Sequence, residues 1–128
     1  VPVDDDGQAA RDALGRALIG HAIAVHTALG PGFAEVVYRR ALEIELQLGK
    51  VSFESELSIV VSYRGRPVGR HRLDLLVEET IVLELKALPS LESVHRRQVL
   101  SYLRASGCRL GYVLNFGSPV LGVMRVIL

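Results

Sequence analysis

Ile81-Val82-Leu83-Glu84-Leu85-Lys86-Ala87 is apolar enough for a central buried strand, yet it carries two charges. Side chains alternate across a strand, so Val82, Glu84 and Lys86 share one face and Ile81, Leu83, Leu85 and Ala87 the other. Charges in a buried strand are costly unless paired or bound to an ion. The stretch before it repeats the oddity, with Leu73, Leu75 and Val77 facing one way and Arg72, Asp74 and Leu76 the other. A tight turn through Glu78-Glu79-Thr80 joins the two; centred on Glu79, it sets Asp74 opposite Glu84 and Arg72 opposite Lys86. Facing carboxylates repel. A divalent cation between them removes the conflict, because Mg²⁺ is held by one or two carboxylates plus substrate oxygens. A lattice of Asp74–Arg72 and Glu84–Lys86 ion pairs would also satisfy the charges, and these two strands alone do not choose between them.

Lys86 adds weight to the first option. The chain has 13 arginines and two lysines, Lys50 and Lys86, so its basic residues default to Arg. A lysine kept inside an apolar strand suits a compact ammonium that approaches a water or a phosphate, a task for which the broad arginine fork is a poor fit.

Outward from these strands, the period changes from alternating to helical. On the N-terminal side, Ser52 to Tyr63 is an alternating segment with Leu57, Ile59 and Val61 on one face. The turn Arg64-Gly65-Arg66-Pro67 links it to a strand over Val68 to Val77. Before it, Leu14, Leu18, Ala22, Val25 and Leu29 mark an amphipathic helix from Arg11 to Leu29, stopped by Gly30-Pro31-Gly32. A second helix is expected from Phe33 to Leu48, with Phe33, Val37, Ala41, Ile44 and Leu48 as its stripe and Gly49 as C-cap. On the C-terminal side, the strand Thr80–Ala87 is followed by a helix from Leu91 to Ser106, ended by Gly107. Strands then run over Leu110–Phe116 and Val120–Leu128, behind the Gly117-Ser118-Pro119 turn. The order α-α-β-β-β-α-β-β predicts an α/β, three-layer domain with a mixed central sheet flanked by helices. Residues 1–10 are expected to be a frayed or disordered end, and 11–128 a single domain.

Composition narrows the function classes. At 128 residues, with 49% apolar and 23% charged, the chain suits one globular domain. No apolar run reaches the roughly 20 residues of a membrane helix, and the opening Val-Pro-Val-Asp-Asp-Asp is the opposite of a secretory leader, so a cytoplasmic protein is expected. The lone Cys108 can form neither an internal disulfide nor a cysteine cluster. A net charge of +1 makes the whole molecule no magnet for nucleic acid; a phosphate-binding surface must come from local clusters such as Arg64, Arg66, Arg70, His71 and Arg72, or His95, Arg96 and Arg97. Solvated faces are the plain alternative.

Asp74 followed after nine residues by Glu84-Leu85-Lys86 resembles the pattern of the PD-(D/E)XK nuclease superfamily, with Leu73 where its name puts a proline. The surrounding text is more specific: Gly32-Phe33-Ala34-Glu35-Val36-Val37-Tyr38, Arg72-Leu73-Asp74-Leu75-Leu76-Val77-Glu78, Leu83-Glu84-Leu85-Lys86-Ala87, His95 with Gln98, Tyr102-Leu103 and Leu114-Asn115-Phe116-Gly117. Together these resemble the GxxExxY family, a small bacterial group of that superfamily, over roughly residues 18–127.

The resemblance implies a restriction-endonuclease-like fold and a nuclease using Mg²⁺ or Mn²⁺. It implies Asp74 and Glu84 as metal ligands with the Leu85 carbonyl, and Glu35 as a helical acid completing the shell. Lys86 would orient the attacking water, and Gln98 and Tyr102 would line the site as a Q-x-x-x-Y pair. Plainer readings stand beside these: Glu35 offsetting a helix dipole, Tyr38 as a core aromatic buttressing Glu35, His26 as a satisfied buried histidine. The expected function is phosphodiester hydrolysis of nucleic acid, DNA before RNA, with low sequence specificity. Arg70, Arg72, His95 and Arg96 would serve as substrate contacts and a homodimer as the candidate assembly. The rivals are a silent nucleic-acid-binding or regulatory module and a defence-associated subunit whose partner supplies specificity.

Overall fold

The computed structural model describes residues 7–128. Three helices and five strands follow the expected order: α1 Gln8–Leu29, α2 Glu35–Leu48, β1 Phe53–Tyr63, β2 Arg66–Val77, β3 Ile81–Lys86, α3 Ser93–Ser106, β4 Leu110–Asn115 and β5 Gly122–Ile127. The sheet runs β1-β2-β3-β4-β5. Its pairs are antiparallel except β3 with β4, which are parallel because α3 forms the crossover between them. α1 and α2 cover one face through Leu18, Ala22, Val25, Tyr38, Leu42 and Leu46. α3 covers the other with Val99, Tyr102 and Leu103. This is the three-layer α/β arrangement of a restriction-endonuclease-like fold. Among the described residues no helix is long and apolar enough to cross a membrane.

The differences from expectation have local causes. α1 starts at Gln8, so part of the segment expected to fray is helical; residues 1–6 of that segment lie outside the described residues. α2 starts at Glu35 rather than Phe33, because the Phe33 N–H donates to the Tyr38 hydroxyl and the chain is still in the loop there. Its buried stripe is Tyr38, Leu42 and Leu46, and Phe33, Ile44 and Leu48 of the expected stripe are exposed. Apolar residues occur on both sides of α2, and the side carrying Tyr38 is the one that packs. The Tyr38 ring stacks on Phe116 at 4.7 Å, and its hydroxyl donates to the Gly30 carbonyl.

Arg66 and Pro67 belong to β2, not to the turn. The turn is the pair Arg64-Gly65, both at positive φ. Pro67 is tolerated because β2 at that point is paired on one side only. α3 starts at Ser93, since Glu92 is its N-cap and closes a capping box with His95.

The β2–β3 register matches the expected one where the strands pair: Leu75 with Leu83, Leu76 with Val82, Val77 with Ile81. The turn through Glu78 and Glu79 holds both at positive φ, as a type I′ turn requires. Beyond Leu75 and Leu83 the ladder stops. Arg72 therefore does not come to face Lys86; it bonds to Glu56 of β1 instead.

Alternation along β2 also fails once. Leu75 and Val77 pack under α1 and α2, but Leu73 packs with Val99, Tyr102 and Leu103 under α3. The skipped residue is Asp74. β1 does the same at its partner position: Phe53 packs against the first cluster, Leu57 and Ile59 against the second, and Glu56 between them has φ of 53°. The rung between Glu56 and Asp74 is missing, while those on either side, Ser55 with Leu75 and Leu57 with Leu73, are in place. The β1–β2 hairpin thus swivels at this pair.

Candidate active site

At the swivel, the Asp74 carboxylate accepts the Leu85 N–H at 2.8 Å. A side-chain oxygen thereby takes the place that a β2 carbonyl would fill in a continued ladder, and the backbone donor stays satisfied. The substitution holds β2 and β3 apart and sets Asp74 beside Glu84. Glu84 is 5% exposed. Burial, a hydrogen bond to the Asp74 carboxyl and the charge of Asp74 push its acid up to about 9, against a smaller opposing pull from Lys86. The Lys86 Nζ lies 3.9 Å from Glu84 Oε2, too long for a tight ion pair. Of the two lattice pairs, then, Glu84–Lys86 is loose, and Arg72 bonds Glu56 rather than Asp74.

On the α3 side, Gln98 donates its amide to the Tyr102 hydroxyl at 2.8 Å. Burial and the neighbouring Glu84 push the Tyr102 phenol up to about 12, so it stays a neutral donor. His71 meets the Tyr102 ring edge-on at 4.8 Å. On the α2 side a cleft of about 230 Å³ opens, lined by Glu35, Val36, Arg39, Glu56, Arg72, Asp74 and Leu85.

Six of the expected residues are therefore neighbours: Asp74, Glu84 and Lys86 on the splayed strands, Gln98 and Tyr102 beside Glu84, and Glu35 across the cleft. Glu35 is exposed in the first turn of α2 and reaches Glu84 only as its weakest electrostatic influence. Among the described residues no three His, Cys, Asp or Glu side chains converge into a cation cage. The donor set that fits a hard divalent cation is narrower: the Asp74 and Glu84 carboxylates, with the Lys86 ammonium 3.9 Å from Glu84 and Leu85 on the cleft wall.

The expected substrate contacts divide. Arg72 lines the cleft. Arg70 lies further out on the hairpin, its guanidinium 3.3 Å from Ser58 Oγ. His95 Nδ1 accepts the Glu92 N–H in the capping box, and Arg96 donates to the Arg125 carbonyl in a separate cleft beside β5. His26 is buried and bonded to the Ser118 carbonyl, as its plain reading had it. Two cleft residues escaped the sequence reading. Arg39 could have been found, because it stands one helical turn after Glu35. Glu56 could not, since nothing in its neighbours announces a left-handed backbone.

Comparison with known proteins bears on the fold and the family. The crystal structure of SSO0001 superposes with a TM-score of 0.57 at 19% identity, over 71% of this chain and 48% of that one. The chain thus spans about half the length of that structure. No curated protein matches the sequence. A family model described as the PD-(D/E)XK nuclease superfamily matches residues 12–126, and with nearly every described residue inside that match the chain belongs to the PD-(D/E)XK nuclease superfamily.

Proposed function

We propose that the protein is a divalent-metal-dependent nuclease whose reaction centre is Asp74, Glu84 and Lys86. The observation that carries this reading is the Asp74–Leu85 bond, which splays two strands and sets Asp74 beside a buried Glu84 that Lys86 balances only loosely, at 3.9 Å. Asp74 and Glu84 would hold Mg²⁺ or Mn²⁺ with the Leu85 carbonyl. An ion there would act as a Lewis acid toward the scissile phosphate and raise the acidity of water. Lys86 would hold the nucleophilic water and offset charge building on the phosphate. Tyr102, kept neutral and oriented by Gln98, would donate from the α3 side. Glu35 would hold water at the cleft mouth.

Arg72 and Arg70 alternate with one exposed face of the hairpin, opposite Ser58 and Val60, and would contact the backbone without reading bases. DNA is the favoured substrate, and contacts to its backbone rather than to base edges would give low sequence specificity. The Gly32–Glu35–Tyr38 spacing supports assignment to the GxxExxY group. A cytoplasmic setting, favoured by the lone cysteine, and a homodimer belong to the same reading.

The test is direct. Wild type, Asp74→Ala and Lys86→Ala are incubated with linear, circular and single-stranded DNA and with RNA, in Mg²⁺, Mn²⁺ or EDTA. Metal-dependent cleavage by wild type alone is expected. Equal activity in all three would expose a contaminant, and binding without cleavage under every condition would favour a silent binding module.

A further inference from the structure

Around the cleft, the charges outside the carboxylate pair form a chain. Arg39 Nη1 bonds Glu43 Oε2 at 2.7 Å, one turn along α2, and its Nη2 reaches Glu56 Oε1 at 3.1 Å. Arg72 bonds the same Glu56 oxygen from β2. Two guanidinium groups from different elements thus converge on one carboxylate oxygen. That oxygen lies in the cleft whose other wall is Asp74 and Leu85.

The carrier of this oxygen is held in an unfavourable backbone. Glu56 has φ of 53°, in the left-handed region that a non-glycine residue enters only at a cost. The swivel of the hairpin requires it: Leu57 and Ile59 then reach the α3 core while Arg72 faces α2. The two arginines are not equivalent. Arg39 has 15% of its side chain exposed and keeps Glu43 whatever Glu56 does; Arg72 is 63% exposed and pairs with Glu56. Glu56 itself is 46% exposed, so its carboxylate can swing into water at little cost. What would remain is a pair of guanidinium groups beside Asp74, one braced and one free, a geometry suited to two non-bridging oxygens of a phosphate.

We infer that Arg39 and Arg72 form a phosphate seat next to the metal carboxylates and that Glu56 occupies it as a placeholder when nucleic acid is absent. The ligand is a phosphodiester of the backbone, held while Asp74, Glu84 and Lys86 act on the scissile bond; this deepens the nuclease reading and rests on it. Glu56 keeps two like charges together in the free protein and competes with substrate for them. Its removal therefore strengthens anion binding, whereas removal of Arg72 weakens it.

Two probes separate this inference from the nuclease reading. The first is inorganic pyrophosphate in EDTA, followed by the NMR shifts of the Arg39 and Arg72 Nε–H groups. The second is a fluorescein-labelled DNA duplex in EDTA, followed by anisotropy at several salt concentrations. Each is run on wild type, Glu56→Gln, Glu56→Asn, Arg72→Gln and the Glu56→Gln/Arg72→Gln double variant. Asn tolerates the left-handed backbone, so it guards against a folding artefact.

Loss of one exposed competing carboxylate should tighten both ligands about fivefold. Arg72→Gln should loosen them by a similar factor, and in its background Glu56→Gln should gain much less. Unchanged affinity in both Glu56 variants, or pyrophosphate shifts that leave Arg39 and Arg72 unmoved, would overturn the seat even if the protein cleaves DNA. Tighter pyrophosphate binding with no affinity for any nucleic acid would leave an anion site but overturn its assignment to a backbone phosphodiester, and the nuclease reading with it.

Discussion

Glu84→Gln should make the metal-free protein more stable at neutral pH, by an amount that depends on pH in a defined way. Glu84 titrates near 4.5 when unfolded and is pushed up to about 9 in the fold by burial and by Asp74. Between those values the native state holds a proton that the unfolded state has released. Raising the pH therefore favours unfolding, by about 1.4 kcal/mol per pH unit for one proton. Glu84 contributes no penalty below about pH 4.5, and its penalty is complete only above about pH 9. At pH 7 the window has been crossed by about 2.5 units, which corresponds to roughly 3 kcal/mol. Gln is nearly isosteric with the protonated acid, and its amide can donate to the Asp74 carboxylate as that acid does. It carries no proton to lose.

The assay is urea unfolding followed by circular dichroism, in EDTA, at intervals from pH 5 to 8.5. The variant should exceed wild type by under ~1 kcal/mol at pH 5 and by roughly 3 kcal/mol at pH 7, on the order of 10 °C in Tm for a domain of this size. Mn²⁺ should close the gap from the wild-type side alone, because ligation favours the carboxylate and expels its proton. A gap that stays constant with pH, or one that shrinks as pH rises, would refute the account of Glu84 as a buried, unbalanced acid.

Three further outcomes are expected. On the proposed roles, Lys86→Ala should abolish cleavage while Mn²⁺ binding by calorimetry persists, since the ammonium, 3.9 Å from Glu84, would serve the water rather than the ion. Tyr38→Phe should cost roughly 1–3 kcal/mol in chemical denaturation, because it strips the Phe33 N–H and Gly30 carbonyl of their shared partner while leaving the Phe116 stack. Gly117→Ala should be far worse, on the order of 4 kcal/mol or more: a Cβ there would sit 2.4 Å from the Leu88 backbone nitrogen and oxygen and 2.6 Å from the Ala87 carbonyl carbon, none of which can yield.

The helices, the strands and the two-faced character of β3 were legible because each rests on a period, and a period survives in sequence. Ile81, Leu83 and Leu85 do face α1 and α2, and Val82 does face α3. What the period could not arbitrate was a choice between equals. α2 offers apolar residues on two sides, and only the Tyr38–Phe116 stack, made with a residue far along the chain, selects one. The nearness of Asp74, Glu84 and Lys86 to one another was legible through type and spacing, but their surroundings were not. Glu56 is two residues from Glu54 in an alternating segment, and its role depends on a φ of 53° that the one-dimensional pattern does not encode. Arg39 and Arg72 come together only because that kink exists.

The failure of alternation and the position of the site have a common cause. Had β2 kept its period, Asp74 would share a face with Leu76 under α3, continuing an antiparallel ladder in which Leu85 bonds to backbone. Its carboxylate would then be sealed against Val82 and Tyr102, with no opening toward α2. Instead Asp74 spends one oxygen on the Leu85 N–H, at 2.8 Å, and the ladder ends there. Strands separated by a carboxylate rather than by a peptide bond leave Asp74 and Leu85 on one wall of the cleft that opens toward α2. The other Asp74 oxygen remains to face Glu84 or an ion. Asn at position 74 could accept the same N–H and keep the strands splayed, yet it would bring no negative charge. Asp74→Asn should therefore retain the fold and the cleft while losing cation affinity. A variant that instead closed the strands into a longer ladder, seen as new slow-exchanging amides at Leu85 and Ala87, would show that charge rather than hydrogen bonding holds the site open.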